Sequence, residues 1–181
     1  MIFQDFIKLS SLYHRIYAIT DIDEDIWFFE EHVSNGVHLK YTLSGKTIGK
    51  RFPDSAKLYC SLQGNEEISI FIEDIFTSKQ GRGIETWMMN RFIEFVRAIK
   101  GMVKIQKIHG EFLPDGEAGA RKFFTRFGFE IKENKSGRKQ IFAKPEWLKI
   151  VPVKGIEELE MKKIVEDWVC LKRVQKFQYG S

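Results

Sequence analysis

The chain has 181 residues, 43% of them hydrophobic and 30% charged, which excludes a disordered protein and matches one domain with a full core. Lys and Arg (29) nearly balance Asp and Glu (25) for a net charge of +4, a balance that argues against nucleic acid as a partner. Two cysteines, Cys60 and Cys170, exclude a disulfide framework and a cysteine-rich zinc site, and no apolar run nears the roughly 20 residues that span a bilayer. No metal and no membrane partner are therefore expected. Asp5 stands where a signal peptide carries positive charge, so a reduced, cytoplasmic setting is expected.

In chain order, Phe3, Phe6, Ile7, Leu9 and residues 12–16 can share one apolar helix face. The acidic run at 21–25 reads as a solvated turn, because it lacks the glycine and closing Glu of a calcium loop. Residues 26–29 are apolar and strand-like. Residues 37–43 alternate with period two, Ser44, Gly45 and Lys46 read as a turn, and 47–50 as a short return strand. Residues 56–62 alternate weakly before a turn at 63–65. Residues 66–76 form the strongest strand, with Ile68, Ile70 and Ile72 on one face and Ser69, Phe71 and Glu73 on the other. This half reads as an antiparallel meander.

The pattern then changes. Gln80, Gly81, Arg82 and Gly83 form a glycine-rich turn that opens a helix over 84–99, ended by Gly101. A strand over 103–113, a turn at 114–116 and a short helix over 117–127 follow, the helix closed by Gly128. Residues 129–132 and 140–143 flank a turn at 134–137 as a hairpin. Beyond Pro145, Pro152 and Gly155 bracket a linker, and residues 156–177 read as one amphipathic helix with Met161, Ile164, Val165, Trp168 and Leu171 on a stripe. That helix reads first as a tail docked on the domain. The domain is thus expected over 1–145, with 146–181 as linker and C-terminal helix.

A glycine turn feeding a helix start presents free backbone N–H groups in a positive dipole field, which suits phosphate. Two standard phosphate loops are absent. No Gly-Lys-Ser/Thr occurs, and Gly81-x-Gly83 is followed by Glu85 and Thr86 rather than a third glycine. The block over 68–131 instead resembles the GCN5-related N-acetyltransferase (GNAT) family, whose loop reads Gln/Arg-x-x-Gly-x-Gly/Ala. Gln80 and Gly83 match its first two anchors, and Glu85 replaces its last small residue. A second family element, a helix ending in Phe-Tyr-x-x-x-Gly-Phe, is matched by Phe123, Phe124, Gly128 and Phe129. The resemblance spans about residues 37–143.

The resemblance implies an α/β fold of layered α+β type. Its mixed, mostly antiparallel sheet is flanked by helices and splayed between the family's fourth and fifth strands. Here a C-terminal helical extension would be added. It implies acetyl-coenzyme A as co-substrate. Pantetheine would lie on the backbone of Asp74, Ile75, Phe76 and Thr77, and pyrophosphate on Gln80, Gly81, Arg82, Gly83, Ile84 and Glu85. Phe124 would face the thioester sulfur, where the family usually has a proton-donating Tyr. Glu73 is the candidate general base, with Glu67 and Glu111 as weaker ones. His14, His32, His38 and His109 read as structural, and His109 sits nearest the expected gap. The acceptor is a primary amine on a small molecule or a protein, and Glu73, Glu111, Asp115 and Glu117 would favour a cationic one. A homodimer is compatible with the resemblance. The alternative is a GNAT-fold regulatory module that binds acyl-coenzyme A without turnover.

Overall fold

Alternating apolar residues build the sheet, because successive side chains of a strand point to opposite faces. In the computed structural model, which describes residues 13–35, 38–112, 117–133 and 138–160, that alternation gives a nine-stranded mixed sheet carrying two α-helices, an α+β fold. The elements are β1 (His14–Thr20), β2 (Ile26–Asn35), β3 (Leu39–Thr47), β4 (Ser55–Gln63), β5 (Glu67–Thr77), α1 (Ile84–Lys100), β6 (Lys104–Phe112), α2 (Glu117–Arg126), β7 (Glu130–Glu133), β8 (Lys139–Ala143) and β9 (Glu157–Glu158). The order is β7-β8-β6-β5-β4-β3-β2-β1-β9. Every neighbouring pair is antiparallel except β5 and β6, which are parallel and joined through α1.

One face of the sheet makes the core. Ile68 and Ile70 of β5, Leu58 and Cys60 of β4, and Tyr41 and Leu43 of β3 are fully buried there. Burial pushes the Cys60 thiol up and leaves it inert. Glu31 shares this face and is buried as well, and its two carboxylate oxygens accept from the Tyr17 hydroxyl at 2.6 Å and the Tyr41 hydroxyl at 2.8 Å. The acid is tolerated because both oxygens are satisfied.

Helix α1 is buried on nearly every side, including Met89, Asn90 and Ile93. A single amphipathic stripe would not require that. The cause is a strap over residues 145–158 that crosses its outer side. The Asn90 amide donates to the Val151 carbonyl at 2.7 Å and accepts from the Val151 N–H at 3.0 Å. Arg97 donates to the Leu148 carbonyl at 3.2 Å, and Trp87 Nε1 donates to Glu158 at 3.0 Å. The strap ends as β9 on the free edge of β1. The segment expected as a linker is therefore packed chain, and residues 156–160 are not the start of a helix. Edge pairing of Glu157 and Glu158 with Thr20 and Ile19 takes their place. The helical stripe from Met161 onward lies outside the described residues, as do residues 1–12 and the turns at 114–116 and 134–137.

Two further expectations change. Residues 14–16 are strand rather than helix, because the backbone from His14 pairs with β2 from His32. Ser44, Gly45 and Lys46 are not a turn, since β3 runs straight through them. Gly45 is glycine for a packing reason: a Cβ there would lie 2.5 Å from the ring of Phe29.

Candidate functional site

Strands β5 and β6 part company halfway along. Their pairing runs from Glu67–Lys104 to Ile72–Gly110 and stops. β5 continues to Thr77 with only β4 beside it, so among the described residues the main-chain groups of residues 73–77 on the other edge have no strand partner. The fork begins at a bulge. Cys60 faces Ile72 and Tyr59 faces Asp74, which leaves Glu73 as the inserted residue. Gly110 closes the last pair of the fork. A Cβ there would lie 2.8 Å from the Ile72 carbonyl oxygen and 3.2 Å from Ile141 Cδ1, so glycine permits the close approach.

Past Thr77 the chain turns into the glycine loop. Thr77 is buried, and its hydroxyl accepts from the Lys79 N–H at 3.2 Å. Gly81 and Gly83 take left-handed backbone angles, φ 76° and 80°. Gly83 is the N-cap of α1 and offers no side-chain cap, while in the first turn the Glu85 N–H is taken by the Glu85 carboxylate. The two glycines differ in surroundings. A Cβ on Gly81 would meet nothing within 4 Å, whereas one on Gly83 would meet Val153 Cγ1 of the strap at 3.1 Å. Gln80 is exposed, and Ile84 is fully buried and offers only its backbone. Glu85 is half-buried; burial raises its carboxyl pKa, and the Arg126 guanidinium works against that. Arg126 itself donates to the Thr86 hydroxyl, tying the end of α2 to the first turn of α1.

The acidic run at 21–25 is a turn, exposed at Ile22, Asp23 and Glu24 but anchored at both ends. Asp21 is buried and accepts from the N–H of Asp23 at 2.9 Å, the N–H of Asp25 at 3.1 Å and Trp27 Nε1 at 3.0 Å. Held this way, Asp23 pairs with Arg82 of the glycine loop. Asp25 lies 2.5 Å from both Lys79 and Lys50, and Asp54 completes the cluster at 3.2 Å from Lys50 and 3.4 Å from Lys79. Hydrogen bonds from Lys50 and then Lys79 hold the Asp25 carboxyl below its ordinary range, and Asp25 in turn raises Lys79. An internal acid thus rests on the base of the loop. Nothing local in the sequence pairs residues 23 and 25 with residues 79 and 82.

The remaining candidates spread around the fork. Glu73 Oε2 lies 3.6 Å from Lys40 Nζ of β3, with the carboxylate side chain 25% exposed. Ile75 is half-buried, and Asp74 and Phe76 are exposed. Phe124 is buried, its ring edge-on to Phe123 at 5.1 Å and Phe129 at 5.5 Å between centroids. His109 pairs with Phe71 across the β5–β6 seam, rings 5.2 Å apart. Burial, then Lys107, lowers the His109 pKa and keeps the imidazole neutral at pH 7. Glu111 accepts from Gln140 at 2.8 Å and Arg138 at 3.4 Å, and Glu67 pairs with Lys104. The structure thus joins residues 73–85 into one continuous edge, while Glu67, Glu111 and Phe124 have separate partners. Among the described residues, no three His, Cys, Asp or Glu side chains are grouped to hold a metal, and no helix is long and apolar enough to cross a membrane.

No known protein family and no curated protein matches the chain. Among solved structures, the chain is similar to one in the crystal structure of a KacTA–DNA complex, with 18% sequence identity and a TM-score of 0.44, covering 62% of this chain and 71% of that one.

Proposed function

We propose that the protein is an acetyl-coenzyme A-dependent N-acetyltransferase of GNAT type that acetylates a primary amine. One observation carries the reading: a parallel strand pair that forks at a bulge and runs directly into a doubly left-handed glycine turn at a helix start. In this reading β5 and β6 take the places of the family's fourth and fifth strands. The donor set fits the co-substrate. Unpaired peptide groups of residues 73–77 match the two amides of pantetheine. The amides at Gly81, Gly83 and the start of α1 match a pyrophosphate, with Gln80 and Arg82 beside it and the Glu85 carboxylate displaced from its own N–H. Gly81 leaves free space for the phosphate to approach.

Acetyl-coenzyme A supplies a thioester carbonyl. A C–N bond forms as the C–S bond breaks, and the amine proton must leave. Glu73, at the bulge, accepts that proton directly or through one water, with Lys40 orienting its carboxylate. An unpaired N–H of the bulged strand steadies the negative charge on the carbonyl oxygen. Phe124 has no proton to give, so the thiolate leaves as the anion or is protonated by solvent, which a pKa of about 8.5 allows. Two observations favour the second reading, a module that binds without turnover: Phe124 in the family's tyrosine position, and the Asp23 carboxylate already on Arg82.

Gly81 provides the test. Asp and Asn both tolerate the left-handed region, so Gly81→Asp and Gly81→Asn keep the turn at similar strain. Millimolar acetyl-coenzyme A is expected to raise the melting temperature of the native protein and of Gly81→Asn, and to leave Gly81→Asp unshifted through repulsion of phosphate. Absence of a shift in the native protein overturns both readings. Thiol release across an amine panel then separates them.

A further inference from the structure

The two described helices lie on one face of the sheet. On the other face, β1 and β2 are joined by the tight acidic turn, and no described helix covers the strands. Such a face should be polar if it meets only water. One row across it is not. The register aligns Ile16, Glu30, Ser44, Lys57 and Phe76 across five strands, and Phe28 and Lys46 follow in the next row. Ile16 and Phe76 are 51% and 48% exposed. Together these residues line a concavity of about 710 Å³, the size of small-molecule sites.

Its charges are arranged unevenly. Glu30 is matched by His14 at 2.9 Å. Lys46 and Lys57, on the central strands β3 and β4, have no acidic partner among the described residues; Lys57 only overhangs the Tyr59 ring at 4.6 Å. An apolar floor beside two uncompensated ammonium groups is complementary to one class of ligand. We propose that this concavity binds a small amphipathic carboxylate, its apolar chain on Phe28 and Ile16 and its carboxylate on Lys46 and Lys57. The site goes beyond the acetyl-transfer reading and stands without it, since apart from the Phe76 side chain at its rim it uses no residue of the proposed acetyl-coenzyme A edge.

The test is titration of the full chain with octanoate, octylamine and octanol, followed by calorimetry and by amide shifts in NMR spectra. Octanoate is expected to bind one to one and at least about tenfold more tightly than the other two, the gap a charge-assisted contact gives. Lys57→Met, which keeps the chain length and removes the charge, is expected to lose most of that preference. Ile16→Asp is expected to abolish binding, and because Ile16 is exposed the variant should melt near the native temperature. Equal binding of octanol and octanoate overturns the proposal, as does octanoate binding that both variants retain. A self-association in sedimentation that Ile16→Asp dissolves, with no octanoate uptake, assigns the face to a second copy and also overturns it. Acetyl-coenzyme A is absent from every arm, so failure here leaves the transferase reading standing.

Discussion

The two halves of β5 do different work with the same backbone. From Glu67 to Ile72 the strand pairs with β6, from Ser69 onward β4 lies on its other edge as well, and Ile68 and Ile70 are fully buried. From Glu73 to Thr77 it is paired on one edge only, and Asp74 and Phe76 are exposed. The lower half anchors the upper half, which is then free to spend its main-chain donors and acceptors on a ligand. Polar edges left open in this way are the exception inside a sheet, where nearly all such groups are paired.

Truncating one apolar residue in each half gives the widest expected contrast. Ile70→Ala removes a fully buried side chain, and a loss of about 3 kcal/mol is expected from urea denaturation. Phe76→Ala removes a larger side chain that is half exposed, and a loss below about 1 kcal/mol is expected. Similar losses would mean that both halves belong to one core and would break the distinction.

The junction between the halves depends on Gly110. Its substitution by Ala puts a Cβ against the Ile72 carbonyl oxygen and Ile141. Backbone cannot give way as a flexible side chain does, so a destabilisation of about 2 kcal/mol is expected. The strain falls at the last β5–β6 pair. Hydrogen exchange should therefore quicken at Ile72 and Gly110 before it does at Ile68. Uniform quickening along the seam would show that the fork is not a separate unit.

The lower half was legible in the sequence and the surroundings of the upper half were not. Ile68, Ile70 and Ile72 alternate because each meets the core, so periodicity located β5, and the same logic located α1, α2 and the β7–β8 hairpin. Glycine was ambiguous. Gly64, Gly101 and Gly128 do mark ends of elements, but Gly45 sits inside β3 to make room for Phe29. The bulge at Glu73 leaves no local signature, because it is defined by which β4 residues face it. The acidic turn is legible as a turn, but its ion pairs are not, for a related reason. Asp25 and its partner Lys79 are 54 residues apart, and no local pattern announces a pair at that separation. The strap over α1 was hidden likewise, since Val151 and Asn90 meet 61 residues apart.

The smallest expected effect comes from that acidic turn, and it asks whether the loop end of β5 is fastened as well as open. The ordinary Asp value is 3.8, and Asp25 is held below it in the folded protein by Lys50 and Lys79. The unfolded chain therefore takes up the Asp25 proton first as pH falls. The stabilisation from the cluster is present in full above pH 4 or so, and is lost as pH drops through the lowered folded value. Lys79, raised by the same contacts, keeps its charge through neutral pH and adds no change there. Both side chains are partly exposed, so water and salt weaken the pair. Urea midpoints of the native protein and Asp25→Asn should then differ slightly at pH 7, less in molar salt, and converge as the pH is lowered through the folded Asp25 value. A difference that persists unchanged however far the pH is lowered within the folded range would mean that Asp25 acts through the shape of its turn and not through its charge. The loop would then be fastened by Asp21, whose carboxylate holds the turn from below, and the open end of β5 would owe its order to hydrogen bonds alone.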